Sequence, residues 1–230
     1  MNQNKKKNKR FLVGLAVAFL LPLSFYFVMK SLGDSTIHMP LRYRLDKVEK
    51  GDSIFHQVKD ISLVNQLGVP VSLNNDLKGK IIIIDFIFTT CPSICPRLTS
   101  NLKVLHTAFR KRPKRGIGLD ELVQLVSITV NPTVDSFPRL RHYADSYGVN
   151  HDKWWFLTGD KGAIYDFARN ELGLSVQPGD GDENDIIHSQ KLIVLDADRY
   201  IRGYYDGLDT AAVSKCAYDV SLLTMEKKKK

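Results

Sequence analysis

Ile81-Ile82-Ile83-Ile84-Asp85-Phe86-Ile87-Phe88, followed at once by Thr89-Thr90-Cys91-Pro92-Ser93-Ile94-Cys95-Pro96, is the stretch on which the fold turns. Its first eight residues are nearly all apolar and rich in β-branched side chains. Such a run fits a strand covered on both faces, in the middle of a sheet with helices on either side. Asp85 interrupts it, either as a partnered structural carboxylate or as a group that tunes the nearby thiols. Beyond the run, Leu98, Leu102, Leu105 and Phe109 recur at spacings of three and four, which predicts a helix over 94–110 with one apolar face. Two cysteines thus fall where a buried strand turns into a helix. Active and ligand sites of open α/β sheets lie at such strand ends. Free N–H groups and the helix dipole near Cys95 favour a thiolate there, and Pro96 suits a first turn because it has no N–H to donate.

Working outward, 61–64 and 69–73 flank Asn65-Gln66-Leu67-Gly68, a hairpin with glycine at the turn. Residues 122–130 form the next apolar strand. Asp135-Ser136 caps a helix to about 147, stopped by Gly148; 154–157 is a short strand; Asp160 caps a helix to about 172, stopped by Gly173. Two strands, 186–195 and 200–205, surround the Asp196-Ala197-Asp198 turn, and a last helix covers 208–225 with Asp209 as its cap. Alternation of this kind builds a mixed α/β sheet with helices on both faces. With the hairpin at its N-terminal side, this is the thioredoxin-like plan.

The net charge of +8 looks like a nucleic-acid signal until it is mapped. Six Lys/Arg lie in residues 1–30 and four lysines end the chain; taking these ten from 33 leaves 23 basic against 25 acidic residues. A near-neutral domain has no basic face for nucleic acid. Residues 11–29 carry no charge, and at about 1.5 Å per residue they span roughly 28 Å, the thickness of a bilayer core. The run is longer than a signal-peptide apolar region, so an uncleaved transmembrane anchor is expected. Lys5, Lys6, Lys7, Lys9 and Arg10 hold the N-terminus in the cytoplasm and place the remainder outside it. The expected organisation is a basic tail (1–10), an anchor (11–29), a linker (30–57), one domain (58–226) and a lysine tail (227–230).

Three cysteines are too few for a disulfide scaffold; a close pair and a single one fit a redox or metal site with one packed bystander, Cys216. Thioredoxin-type exchange usually uses C-x-x-C, whereas three residues separate Cys91 from Cys95. The wider spacing lets both sulfurs face one ion while still permitting a disulfide between them. Two thiolates are soft donors that favour Cu(I) or Zn and need a further ligand. His38, His56, His106, His142 and His151 show no paired metal spacing and read as solvated or structural. Trp154 and Trp155 read as core and rim.

Phe86-x-Phe88-Thr89-x-Cys91-Pro92-x-x-Cys95-Pro96 resembles the signature of the SCO/SenC copper proteins of cytochrome c oxidase assembly. The likeness runs from about 60 to 207. It takes in Leu63 to Gly68, Ser127-Ile128-Thr129-Val130-Asn131-Pro132 with Asp135-Ser136, Phe156-Leu157-Thr158-Gly159, and Ile187-His188-Ser189 with Gly203 to Gly207. Ser93, Ile187 and Asn131 stand where many members have Asp. None of these is a ligand in the family, so the differences bear on partner surfaces and on groups around the site. The resemblance implies one copper ion, Cu(I) or Cu(II), held by Cys91, Cys95 and His188. It also implies delivery to the copper-bearing subunit of the oxidase, with a thiol reductant or another copper chaperone as further partner. Together with the anchor, it implies a single-pass protein of the bacterial inner membrane with its domain on the periplasmic side. The alternative is a thiol–disulfide oxidoreductase that uses Cys91 and Cys95 catalytically on exported or oxidase-subunit cysteines, with no need of His188. A peroxiredoxin-type peroxidase is weaker, since Phe88 stands where its motif has Thr.

Overall fold

The structure, a computed structural model, describes residues 14–15, 17–30, 41–49, 52–110, 119–174 and 189–226. It divides into two units, 1–39 and 40–230. In the first, residues 17–30 are helical, and Phe19, Leu20, Leu21, Phe25 and Phe27 are exposed. Among the described residues no helix is long and apolar enough to cross a membrane. The expected span over 11–29 extends onto residues outside the described ones.

The second unit opens with β1 (Leu45–Glu49) and β2 (Asp52–Phe55), an antiparallel ribbon inside the stretch expected to be linker. Its strands are largely exposed, so they leave no hydrophobic period to read. Then come β3 (Ser62–Asn65), β4 (Pro70–Ser72), α1 (Leu73–Asp76), β5 (Ile81–Ile87) and α2 (Ile94–Arg110). They are followed by α3 (Leu119–Leu122), β6 (Val123–Thr129), α4 (Phe137–Ser146) and β7 (Trp154–Thr158). The last elements are α5 (Lys161–Asp166), a π-helical turn (Phe167–Glu171), β8 (Lys191–Leu195), β9 (Ile201–Asp206) and α6 (Thr210–Met225). The expected hairpin, strands and helices are present in order. The turn glycines Gly68, Gly148 and Gly173 have φ of +78°, +58° and +67°, a region that favours residues without a Cβ.

Seven strands form one mixed sheet in the order β4-β3-β7-β6-β5-β8-β9. The β5, β6 and β7 strands are parallel; β3 joins β7, and β8 joins β5, antiparallel. Every residue of β5 is buried. Its odd positions, Ile81, Ile83 and Ile87, pack with Leu98, Leu102, Leu105 and Phe109 of α2 and with Val213, Cys216 and Val220 of α6. Its even positions, Ile82, Ile84 and Phe86, pack with Ile164, Phe167 and Leu172 on the other face. Period-two alternation therefore assigns each β5 side chain to one of two cores, and both are apolar. At one edge, β4 is short and starts with Pro70, which has no N–H. At the other, the Tyr43 N–H donates to Ile201 O at 2.8 Å and Gln57 bridges to Tyr200, which covers part of β9.

Candidate metal centre

β5 ends at Ile87, and the chain turns through Phe88 and Thr89 to Cys91, three residues before α2 starts at Ile94. The Cys91 N–H donates to Phe88 O at 3.2 Å and closes the turn. Cys91 and Cys95 are both buried and both free thiols. The Cys95 N–H donates to Cys91 Sγ at 3.3 Å. A helix leaves its first N–H groups without intrahelical acceptors, and a sulfur just ahead of the helix can use them. Burial opposes ionisation of Cys91, but the N–H groups of Cys95, Ser93 and Ile94 and the Cys95 thiol outweigh it, and the thiol moves below its usual range. Burial pushes the Cys95 thiol up to about 12, with help from Cys91 and from the charge of Asp85 and against an opposing Phe88 N–H. The helix-start N–H groups therefore favour ionisation of Cys91, whereas Cys95, expected to gain from them, is shifted the other way. The reason is position: Cys91 precedes the helix, whereas Cys95 is its second residue and packs into the core.

A cavity of about 40 Å³ meets the pair, lined by Phe86, Phe88, Cys91, Ile94, Cys95, Ser189 and Gln190. That volume suits one ion or a water or two, and is far below an organic-substrate pocket. Gln190 is anchored to the end of β9: its Nε2 donates to Asp206 Oδ2 at 2.6 Å, and its carbonyl accepts the Gly207 N–H at 2.8 Å. His188, the third expected ligand, lies outside the described residues. Among the described residues no group of three or more His, Cys, Asp or Glu is placed to hold a metal.

Three other histidines do structural work. His56 sits between Asp46 and Glu171, at 3.3 and 2.9 Å, and His151 between Asp145 and Gln66, at 2.9 and 3.0 Å. His106 packs edge-on against Trp154 in the core. Cys216 is fully buried and Trp154 is core, as expected.

Asp85 lies on the thiol side of β5 and is 1% exposed. Ser127 Oγ donates to its Oδ1 at 2.5 Å, and Trp154 Nε1 donates to Ser127 Oγ at 2.9 Å. Asp85 Oδ2 has no hydrogen-bond partner among the described residues. Burial, opposed by Ser127, raises this carboxyl to about 7.

One group near the site escaped the sequence reading in its role. Asp135, expected as a helix cap, is fully buried, and Ser136 occupies the N-cap without a side-chain cap bond. Asp135 Oδ2 accepts the Thr89 N–H at 3.0 Å and Thr129 Oγ1 at 2.6 Å, while its Oδ1 accepts Thr89 Oγ1. An Asp-Ser pair before a helix reads as a cap in any sequence. Only the neighbouring strand end reveals the other use.

Residues 52–219 match the family model described as SCO1/SenC. The SCO1 protein homolog of Bacillus subtilis (strain 168) is 31% identical over 170 residues, covering 74% of this chain and 83% of its own length. The structure of BsSco, described as a member of the Sco family of cytochrome c oxidase assembly proteins, superposes with a TM-score of 0.63 at 28% identity, covering 83% of this chain and 99% of that one. Bradyrhizobium japonicum ScoI, solved with copper bound, shares the fold with a TM-score of 0.56 at 21% identity, covering 73% of this chain and 99% of that one. The match spans the strand end, both thiols and the segment that closes the cavity, and on it the chain belongs to the SCO1/SenC family.

Proposed function

We propose that the chain carries one copper ion on Cys91, Cys95 and His188 and delivers it to the copper-bearing subunit of cytochrome c oxidase. The observation that carries this reading is the pair of free thiols at a strand end, facing an ion-sized cavity. The donor set fits the cargo. Two sulfurs are soft ligands suited to Cu(I), and the lowered Cys91 thiol is ready to ionise. Ser189 lines the cavity, and His188 is the residue that precedes it in the sequence. Copper on these donors would leave by ligand exchange with an acceptor of similar softness. The apolar helical residues 17–29, exposed in the structure, support anchoring in the inner membrane, and the basic cluster Lys5 to Arg10 supports placing the domain on the periplasmic side.

The test is metal content of the reduced full chain in detergent. About one copper per chain is expected, with Cu(I) affinity measured against a chromophoric chelator. His188→Ala should bind more than about 100-fold more weakly, beyond the loss usual for groups that only support a ligand. Equal affinity in both would remove His188 from the site.

Thiol–disulfide exchange is the second reading, favoured by the opposite displacement of the two thiols. Cys91 is the thiol shifted toward ionisation, as an attacking thiol requires, while burial favours the protonated form of Cys95. Turnover of a disulfide substrate by His188→Ala at the wild-type rate would favour exchange over metal delivery.

A further inference from the structure

We infer that Asp135 is a positioning residue for the thiol pair, a clamp that fixes the Phe88–Cys91 turn against the end of the neighbouring strand. Its carboxylate holds both the N–H and the hydroxyl of Thr89, two residues before Cys91, and also the Thr129 hydroxyl at the end of β6. Thr129 Oγ1 in turn accepts the Asn131 N–H at 3.0 Å, so its proton is left for Asp135. Arg139 adds a bond from Nε to Thr89 Oγ1 at 2.7 Å and lies 3.8 Å from Asp135 Oδ1. Two adjacent strand ends are therefore tied through one buried carboxylate.

The turn so fixed is the part of the backbone that serves the sulfurs. Phe88 O accepts the Cys91 N–H at 3.2 Å, and the Cys95 N–H donates to Cys91 Sγ at 3.3 Å. Val130 N donates to Ile87 O at 2.9 Å, which continues the same tie one residue back. A carboxylate that accepts three hydrogen bonds is a stronger and more directional anchor than a neutral acceptor. An isosteric amide cannot replace it. Asn at 135 keeps one acceptor oxygen and turns an NH₂ toward donors, so a donor from Thr89 or Thr129 is left without an acceptor.

The experiment uses the full chain in detergent and two readouts, Cu(I) affinity and the rate of Cys91 alkylation by iodoacetamide across pH. The metal arm rests on the reading above; the alkylation arm does not. Asp135→Asn should lose roughly tenfold or more in Cu(I) affinity, the range typical of groups that orient ligands. Its alkylation profile should move to higher pH, because the turn no longer holds Cys91 against the α2 N–H groups. Thr89→Ser, which keeps both bonds, should match wild type; Thr89→Val, which keeps only the N–H bond, should fall between. Leu195→Ala, a buried truncation opposite Ile82 at the end of β5 far from the thiols, is the control for general destabilisation. A folded Asp135→Asn with both readouts unchanged, or a Leu195→Ala that moves them equally, overturns the clamp. If Asp135→Asn does not fold, Thr89→Val against Thr89→Ser decides. Absence of copper binding in wild type would sink the metal reading and leave the alkylation result to judge the clamp.

Discussion

Arg199→Leu should lose about 4 kcal/mol or more of folding stability, since it leaves several buried acceptors without donors at about 1–3 kcal/mol each. Arg199 is 5% exposed, and its guanidinium is spent entirely inside the protein. Nη2 donates to Leu73 O at 3.0 Å and Leu77 O at 2.6 Å, Nη1 to Lys80 O at 3.0 Å, and Nε to Asn74 Oδ1 at 2.8 Å. These acceptors belong to α1 and to the loop that leads into β5. One side chain thus gathers carbonyls from the first residue of α1 and from the turn after it, where Leu77 O also accepts the Lys80 N–H at 3.0 Å. Burial makes the charge harder to hold, and Asp196, Asp60 and Asp198 oppose that effect; the guanidinium remains charged. Leucine fills much of the volume and replaces none of the bonds. Urea unfolding at neutral pH measures the loss, with the m-value unchanged. A loss below about 1 kcal/mol would show that water reaches those carbonyls in the folded protein.

The second large effect is a pH dependence. In the folded chain burial raises the Asp85 carboxyl from its ordinary 3.8 to about 7. The folded state therefore prefers the proton, and the unfolded state releases it earlier. The stability that goes with the protonated form is complete below about pH 4 and is lost as pH rises to about 7. At 1.36 kcal/mol per pH unit the whole effect is about 4 kcal/mol. Asp85→Asn keeps an acceptor for Ser127 Oγ and cannot ionise. The stability difference between variant and wild type should then shift in favour of the variant by about that amount between pH 3.5 and 8, and taking the difference cancels every other titrating group. Parallel curves for the two proteins would mean that water or a cation reaches Oδ2.

Much of this fold could be read from local pattern. The 81–88 run and the Leu98, Leu102, Leu105, Phe109 spacing belong to elements whose periodicity is fixed by the core they face, and both elements lie where expected. The thiol pair at the strand end was equally plain. What stayed hidden depends on contacts between distant residues. Arg199 sits in a turn at φ +68°, and nothing within the turn announces that it reaches Leu73 and Leu77. The division of labour between Cys91 and Cys95 depends on which residue begins the helix, a boundary that composition does not resolve to one position. The β1–β2 ribbon is exposed and so carries no alternation, and α3 is a single turn too short to show a period.

The margins of the sheet bear on whether copies of the chain assemble. An open row of backbone donors and acceptors is a template on which another chain can pair. Here one margin is three residues long and begins with a residue that cannot donate, while the other is partly occupied by the chain's own Tyr43 and Gln57. The molecule can therefore hold reactive sulfur at one end of its strands without offering its flanks to self-association, and concentrated samples should stay free of fibrils.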